Sequence, residues 1–180
     1  MKKALLTLAL VATASTAFGQ LQTVGDIFFY NEGITDAQGN PYDAVIRNPN
    51  GTPVSGAGFT AGIFLAGAPE SAVPIASTTF ANGGIFAEAA TVLLTGTVPG
   101  QQAALEIRVY ETGQTYASSQ LRGSQTFTSQ PLGGPNGANP AFPTPGLTGF
   151  TGFTLVPEPS TYALGMLGLG ALALMRRRKA

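Results

Sequence analysis

No cysteine, histidine or tryptophan occurs anywhere in the 180 residues of this chain. Without cysteine there are no disulfides, no thiolate nucleophile and no thiolate zinc site. Without histidine the commonest general base, the Ser-His-Asp triad and imidazole metal sites are excluded together. These two absences turn the reading away from an enzyme, and neither a metal nor a cofactor is expected. The missing tryptophan counts against a carbohydrate-binding face of stacked aromatics.

Positive charge is also scarce where a domain would lie. Lys2 and Lys3 stand at one end and Arg176, Arg177, Arg178 and Lys179 at the other. Between Gln20 and Val156 the basic residues are Arg47, Arg108 and Arg122. Against them stand Asp26, Glu32, Asp36, Asp43, Glu70, Glu88, Glu106 and Glu111, so this stretch is lysine-free with a net charge of −5. Such a body has little with which to neutralise phosphates, and nucleic acid is set aside as a partner.

The opening MKKALLTLALVATASTAFGQ has a basic start, an apolar run and small residues at Ala17 and Gly19. That is the three-part form of a secretory signal peptide over residues 1–19, with cleavage expected between Gly19 and Gln20. The C-terminal end, VPEPSTYALGMLGLGALALMRRRKA, is equally ordered. Tyr162 to Met175 is an uncharged apolar run of fourteen residues. As a helix it would cover about 21 Å of a hydrocarbon core nearer 30 Å, short for a permanent span. Pro157 and Pro159 block helical extension upstream, and the basic cluster Arg176 to Lys179 would stay cytoplasmic and stop translocation.

Val156-Pro157-Glu158-Pro159-Ser160-Thr161, followed by the Gly/Leu/Ala-rich run and the terminal arginines, resembles the PEP-CTERM sorting signal of Gram-negative bacteria. The resemblance implies an exported protein recognised by exosortase, a multi-pass membrane enzyme that processes its substrates near the motif. It makes Pro157, Glu158 and Pro159 the sorting motif, Tyr162 to Met175 a transient membrane anchor, and Arg176, Arg177, Arg178 and Lys179 the cytoplasmic stop. Exosortase and the secretion machinery are the implied partners, with extracellular polysaccharide and the membrane beside them. The implied route runs through an inner-membrane intermediate to the cell envelope, the extracellular matrix or a biofilm. A plain tail-anchored envelope protein is the alternative reading of the same residues.

Between these ends the chain alternates short runs of Val, Ile, Phe and Thr with Gly, Pro and Asn. An all-β fold is expected, a single β-sandwich of Ig-like or jelly-roll-like type over residues 20–130. Strands are expected at Thr23 to Tyr30, Ala44 to Arg47, Gly58 to Ala66, Val73 to Phe80, Gly84 to Leu94, Ala103 to Glu111, Gln125 to Thr128 and Phe150 to Val156. AALEIRVYE, Ala103 to Glu111, alternates most cleanly, with Leu105, Ile107 and Val109 inward and Glu106, Arg108 and Tyr110 on a wet face. TAGIFLAGA, Thr60 to Ala68, reads as buried on both faces. Residues 131–149, rich in proline and glycine, read as a loop or linker, residues 150–156 as the last strand, and residues 157–180 as the sorting tail. The stretch Val98 to Thr128 is loosely similar to other small PEP-CTERM exported proteins, which implies a β-sandwich with no activity attached.

Three clusters invite a sharper function. Arg108 and Arg122 could bind an anionic ligand, but Arg108 is expected to pair with Glu106 or a neighbouring carboxylate. Asp36, Asn40 and Asp43 offer oxygen atoms, but not at EF-hand spacing, and a solvated turn is the expectation. Glu88, Glu106 and Glu111 could supply a glycosidase carboxylate pair only if the fold brings two of them together. A non-enzymatic envelope protein, a cell-surface carbohydrate-binding module and a carboxylate glycosidase are therefore weighed against one another, in that order.

Overall fold

The computed structural model describes residues 24–36, 38–134 and 142–158. Residues 1–23 and 159–180 lie outside these limits. The expected signal peptide with its Gly19–Gln20 cleavage, Pro159, the apolar run Tyr162 to Met175 and the basic stop Arg176 to Lys179 therefore lie outside the described residues. Among the described residues there is no helix long and apolar enough to cross a membrane.

The described chain is all-β: β1 Gly25–Phe29, β2 Ile34–Thr35, β3 Pro41–Tyr42, β4 Gly56–Leu65, β5 Ala76–Phe80, β6 Ala90–Leu94, β7 Ala104–Glu111, β8 Leu121–Thr128 and β9 Val156–Pro157. A five-stranded antiparallel sheet has the order β5-β4-β7-β8-β9, β1 pairs with β6, and β2 pairs with β3. The strand with the cleanest alternation, β7, sits at the middle of the large sheet, flanked by β4 and β8. Its Leu105, Ile107 and Val109 are fully buried. They join Ala61 and Ile63 of β4, Ile27 and Phe29 of β1, and Val92 and Leu94 of β6 in one core. Alternating residues thus give each layer one apolar face, and the two faces share a single interior.

Several expected strands are shorter or longer than their apolar runs. Ala44 to Arg47 is buried at Ala44 and Ile46, yet it forms only bridges at Arg47. The amides of Ala44, Ile46 and Arg47 donate to three different places, the carbonyls of Asn31, Gly84 and Phe153, so no single ladder forms. The run from Gly84 to Leu94 becomes a strand only from Ala90, because Gly83 and Gly84 turn the chain at positive φ. At Gly84 a side chain would collide with the backbone of Ile46. β8 begins four residues earlier than expected, at Leu121 rather than Gln125. Gly123 makes that possible, since the Phe153 ring occupies the space a Cβ would fill.

The segment leading to the C-terminus is packed where it is described. Leu132, Leu147, Phe150 and Leu155 are fully buried, Asp26 bridges Gly133, and the Phe28 amide donates to the Pro145 carbonyl at 2.7 Å. Phe150 lies in a ring cluster with Phe86, Phe127 and Phe153. Sheet pairing at this end starts at Val156 and takes in Pro157, while residues 150–155 contribute side chains to the core and a bridge from Thr154 to Arg47.

Candidate functional site

The outer face of β7 is not wet. Arg108 is 3 % exposed because the connection between β4 and β5, residues 66–75, folds back over it, and Tyr110 is 7 % exposed with the Tyr116 ring of the β7–β8 connection against it. Its cross-strand neighbours, Gly62 and Ser124, are small and leave a floor on which the guanidinium can lie. Nη1 donates to the Pro69 carbonyl at 2.8 Å, and Nη2 donates to the Ala68 carbonyl and to Glu106 Oε2, the latter at 2.8 Å. The cation also sits 4.5 Å from the Phe64 ring centroid and 5.2 Å from that of Tyr116. The expected Arg108–Glu106 pair is made, but in a buried setting, and Arg108 is unavailable to an outside ligand. Nε has no partner, so loss of the other contacts would leave the whole group stranded.

Tyr116 is shared between two cations, since its other ring neighbour is Arg122 at 4.9 Å. Arg122 stands on β8 with Tyr110 opposite it on one side and Val156 on the other. Nη1 donates to the Tyr116 carbonyl at 2.7 Å and to Glu70 Oε2 at 3.0 Å. Nη2 donates to Glu158 Oε1 at 2.5 Å. The Glu158 amide in turn donates to the Gln120 carbonyl at 2.7 Å, and Pro157 lies opposite Leu121. The first two residues of the Pro157-Glu158-Pro159 motif are thus attached to the sheet edge. Proline is tolerated there because an edge strand needs donors on one side only.

The other candidates fall apart in space. Glu106 and Glu111 differ by an odd number of positions on β7 and so point to opposite faces. Five residues of strand separate them by about 17 Å, beyond the roughly 5 to 9.5 Å of a glycosidase pair. Glu111 Oε2 accepts the Gln120 amide at 2.9 Å and the Ser119 hydroxyl at 3.2 Å. Glu88 lies beside β5, where its amide donates to Thr78 Oγ1. Asp36 closes a turn: its carboxylate accepts the amides of Gln38 and Asn40, and the Asn40 side-chain amide at 3.0 Å. The Asn40 side chain, followed by these backbone donors, holds the Asp36 carboxyl below its ordinary pKa. Asp43 accepts the Gly33 amide instead of facing Asp36. Among the described residues no group of carboxylates is arranged to hold a metal ion.

A depression of about 610 Å³ adjoins the docked tail, lined by Phe59, Glu111, Thr112, Gln114, Ser118 and Gln120 among others. Its lining is mostly hydroxyl and amide groups. Of its lining the sequence singles out Glu111 alone, as a candidate glycosidase carboxylate; the β7–β8 loop carries no motif and acquires a shape only when folded against β4. Sequence reasoning also missed the contact of Arg122 with Glu158, which joins positions far apart in the chain.

The family model of the PEP-CTERM protein-sorting motif matches residues 155–179, beginning at the fully buried Leu155 and running through Glu158. The chain therefore carries this motif, which marks a protein exported and passed to exosortase. No curated protein and no solved structure matches the chain.

Proposed function

We propose that this chain is a non-enzymatic exported protein. Its acidic β-sandwich body is carried to the cell envelope or extracellular matrix, in an exopolysaccharide or biofilm setting. Exosortase acts near Pro157-Glu158-Pro159 after the apolar run Tyr162 to Met175 has held the chain briefly in the inner membrane. The observation that carries this reading is the sorting motif at residues 155–179, joined without a break to a packed β body. The sandwich reading is supported by the large sheet and the β1–β6 pair sharing one core. The non-enzymatic reading is supported by the carboxylates' existing engagements: Glu106 with Arg108, Glu111 with the 118–120 turn, and Glu70 with Arg122.

The test is the mass of the mature C-terminus in cells with and without exosortase. Loss of the tail only when the enzyme is present is the expected result. A chain running intact through Ala180 in both would leave a tail-anchored envelope protein. A second reading, carbohydrate binding, is favoured by the depression beside Phe59 with its Gln114 and Gln120 amides. It predicts a glycan-array signal that Q114A and Q120A each reduce.

A further inference from the structure

We infer that the folded body latches its own sorting motif, and that Arg122 is the positioning residue that keeps it closed. This rests on the reading that exosortase acts at Pro157-Glu158-Pro159. An enzyme that reads an extended segment bonds to its backbone amides and carbonyls and seats its side chains in pockets. In the folded chain those groups are already occupied. The Glu158 amide is bonded to Gln120, its carboxylate to Arg122, and Pro157 is paired with Leu121. The same atoms cannot serve two partners, so docking on the body and docking on the enzyme exclude each other.

The holding side is built in advance and the held side is not. The Arg122 side chain is 16 % exposed, fixed by the Tyr116 carbonyl, the Tyr116 ring and Glu70 without help from the tail. The Glu158 side chain is 41 % exposed and joined to the body by a strand of two residues. Leaving therefore costs the tail little. The peeled length has a natural end at Leu155, which is fully buried with its amide bonded to the Arg47 carbonyl at 2.8 Å.

Chain length gives the latch its effect. Only residues 159–161 separate Glu158 from the apolar run at Tyr162. Three residues reach at most about 10 Å, so a docked motif keeps the body close against the membrane surface. Releasing residues 156–158 doubles the reach to about 20 Å and exposes the motif's backbone at once. Processing then proceeds from the open fraction, and whatever shifts that fraction shifts the rate in proportion.

The experiment follows tail removal by pulse-chase on the full chain in cells containing exosortase. R122A is expected to be processed about two- to five-fold faster than the parent, the factor an exposed ion pair supplies. E88Q, beside β5 at the opposite edge of the sheet from β9, is expected to stay near the parental rate. In the R122C/V156C double variant two directly opposed positions acquire the only cysteines of the chain. Their antiparallel pairing suits a disulfide. Oxidised, it should stall processing; reduced, it should match R122A, a reversal that a folding defect would not produce. The latch is overturned if R122A is no faster than a processed parent, if the cross-link fails to form, or if the oxidised pair is processed as fast as the reduced one. Hydrogen exchange on the full chain in detergent separates this from failure of the sorting reading. Docking predicts protection at the Glu158 amide that R122A loses, and equal exchange overturns the latch. Should exchange differ while the parent stays intact through Ala180, the docking stands and the sorting reading falls, taking with it the claim that docking controls processing.

Discussion

The Asn31 side-chain oxygen accepts a hydrogen bond of 2.7 Å from the backbone amide of Phe86, across 55 positions of sequence. The other end of the same carboxamide donates to the Ala44 carbonyl at 2.8 Å and the Gly84 carbonyl at 3.0 Å. Asn31 is fully buried, so it acts as a polar pin where three irregular segments meet without a shared ladder. N31A is expected to strand all three backbone groups and to cost roughly 2 to 4 kcal/mol. Urea denaturation, read as a fall in the midpoint at unchanged slope, checks this. N31D should lose the two donated bonds and suffer comparably.

Arg108 and Glu106 test a buried pair. R108A would leave Glu106 and the Ala68 and Pro69 carbonyls without their donor, and should cost roughly 3 to 5 kcal/mol. R108M combined with E106Q should recover part of that loss, because it removes both charges and keeps the packing against Phe64, while the Ala68 and Pro69 carbonyls still lack the Arg108 donor. A double-mutant cycle in denaturant measures the coupling; additive losses would mean that the pair does not act together.

Two glycines at positive φ separate backbone strain from collision. Gly152, at φ 78°, has the Val45 carbonyl where a Cβ would go, whereas Gly113, at φ 85°, has open space. G113A should cost about 1 kcal/mol, the ordinary penalty of the left-handed region. G152A should cost roughly 3 kcal/mol or more, since the collision adds to that penalty. Thermal melting of the two variants side by side gives the difference.

The Asp36 turn has an acid limit. Hydrogen bonds from Asn40, first its side chain and then its backbone, lower the folded carboxyl's pKa. Its stabilising share is therefore complete above the unfolded pKa, near 3.9, and lost as pH falls through the lower folded value. N40A should narrow this gap and move the Asp36 titration, followed by NMR, up towards 3.9. At neutral pH it should change overall stability little, because the turn is exposed.

How much of this could be read from residues alone depends on how local the cause was. In β7 every inward position is aliphatic, and the strand and its core-facing side follow from that alternation. The C-terminal motif was legible for a related reason, since its proline pair, apolar run and basic cluster are contiguous. The covering of Arg108 was not legible, because it depends on a ten-residue connection returning over the sheet, and Glu106, Arg108 and Tyr110 look like a solvated face until it does. The docking of Glu158 was equally hidden. A proline-flanked glutamate reads as an extended exposed segment, and only the position of Arg122 on the neighbouring strand turns that extension into pairing.

The bridge between Arg47 and Thr154 bears on what happens when the tail is pulled. It is flanked by two bonds, from the Arg47 amide to the Phe153 carbonyl at 3.0 Å and from the Leu155 amide to the Arg47 carbonyl at 2.8 Å. A tension applied beyond Glu158 first peels β9 from β8 one rung at a time, which takes little force. It then reaches the Arg47 bridge, where the load falls on bonds backed by the buried Phe150 and Leu155 side chains. The margin gives way while the interior holds, so β9 behaves as a mechanical fuse between a pull beyond Glu158 and the fold.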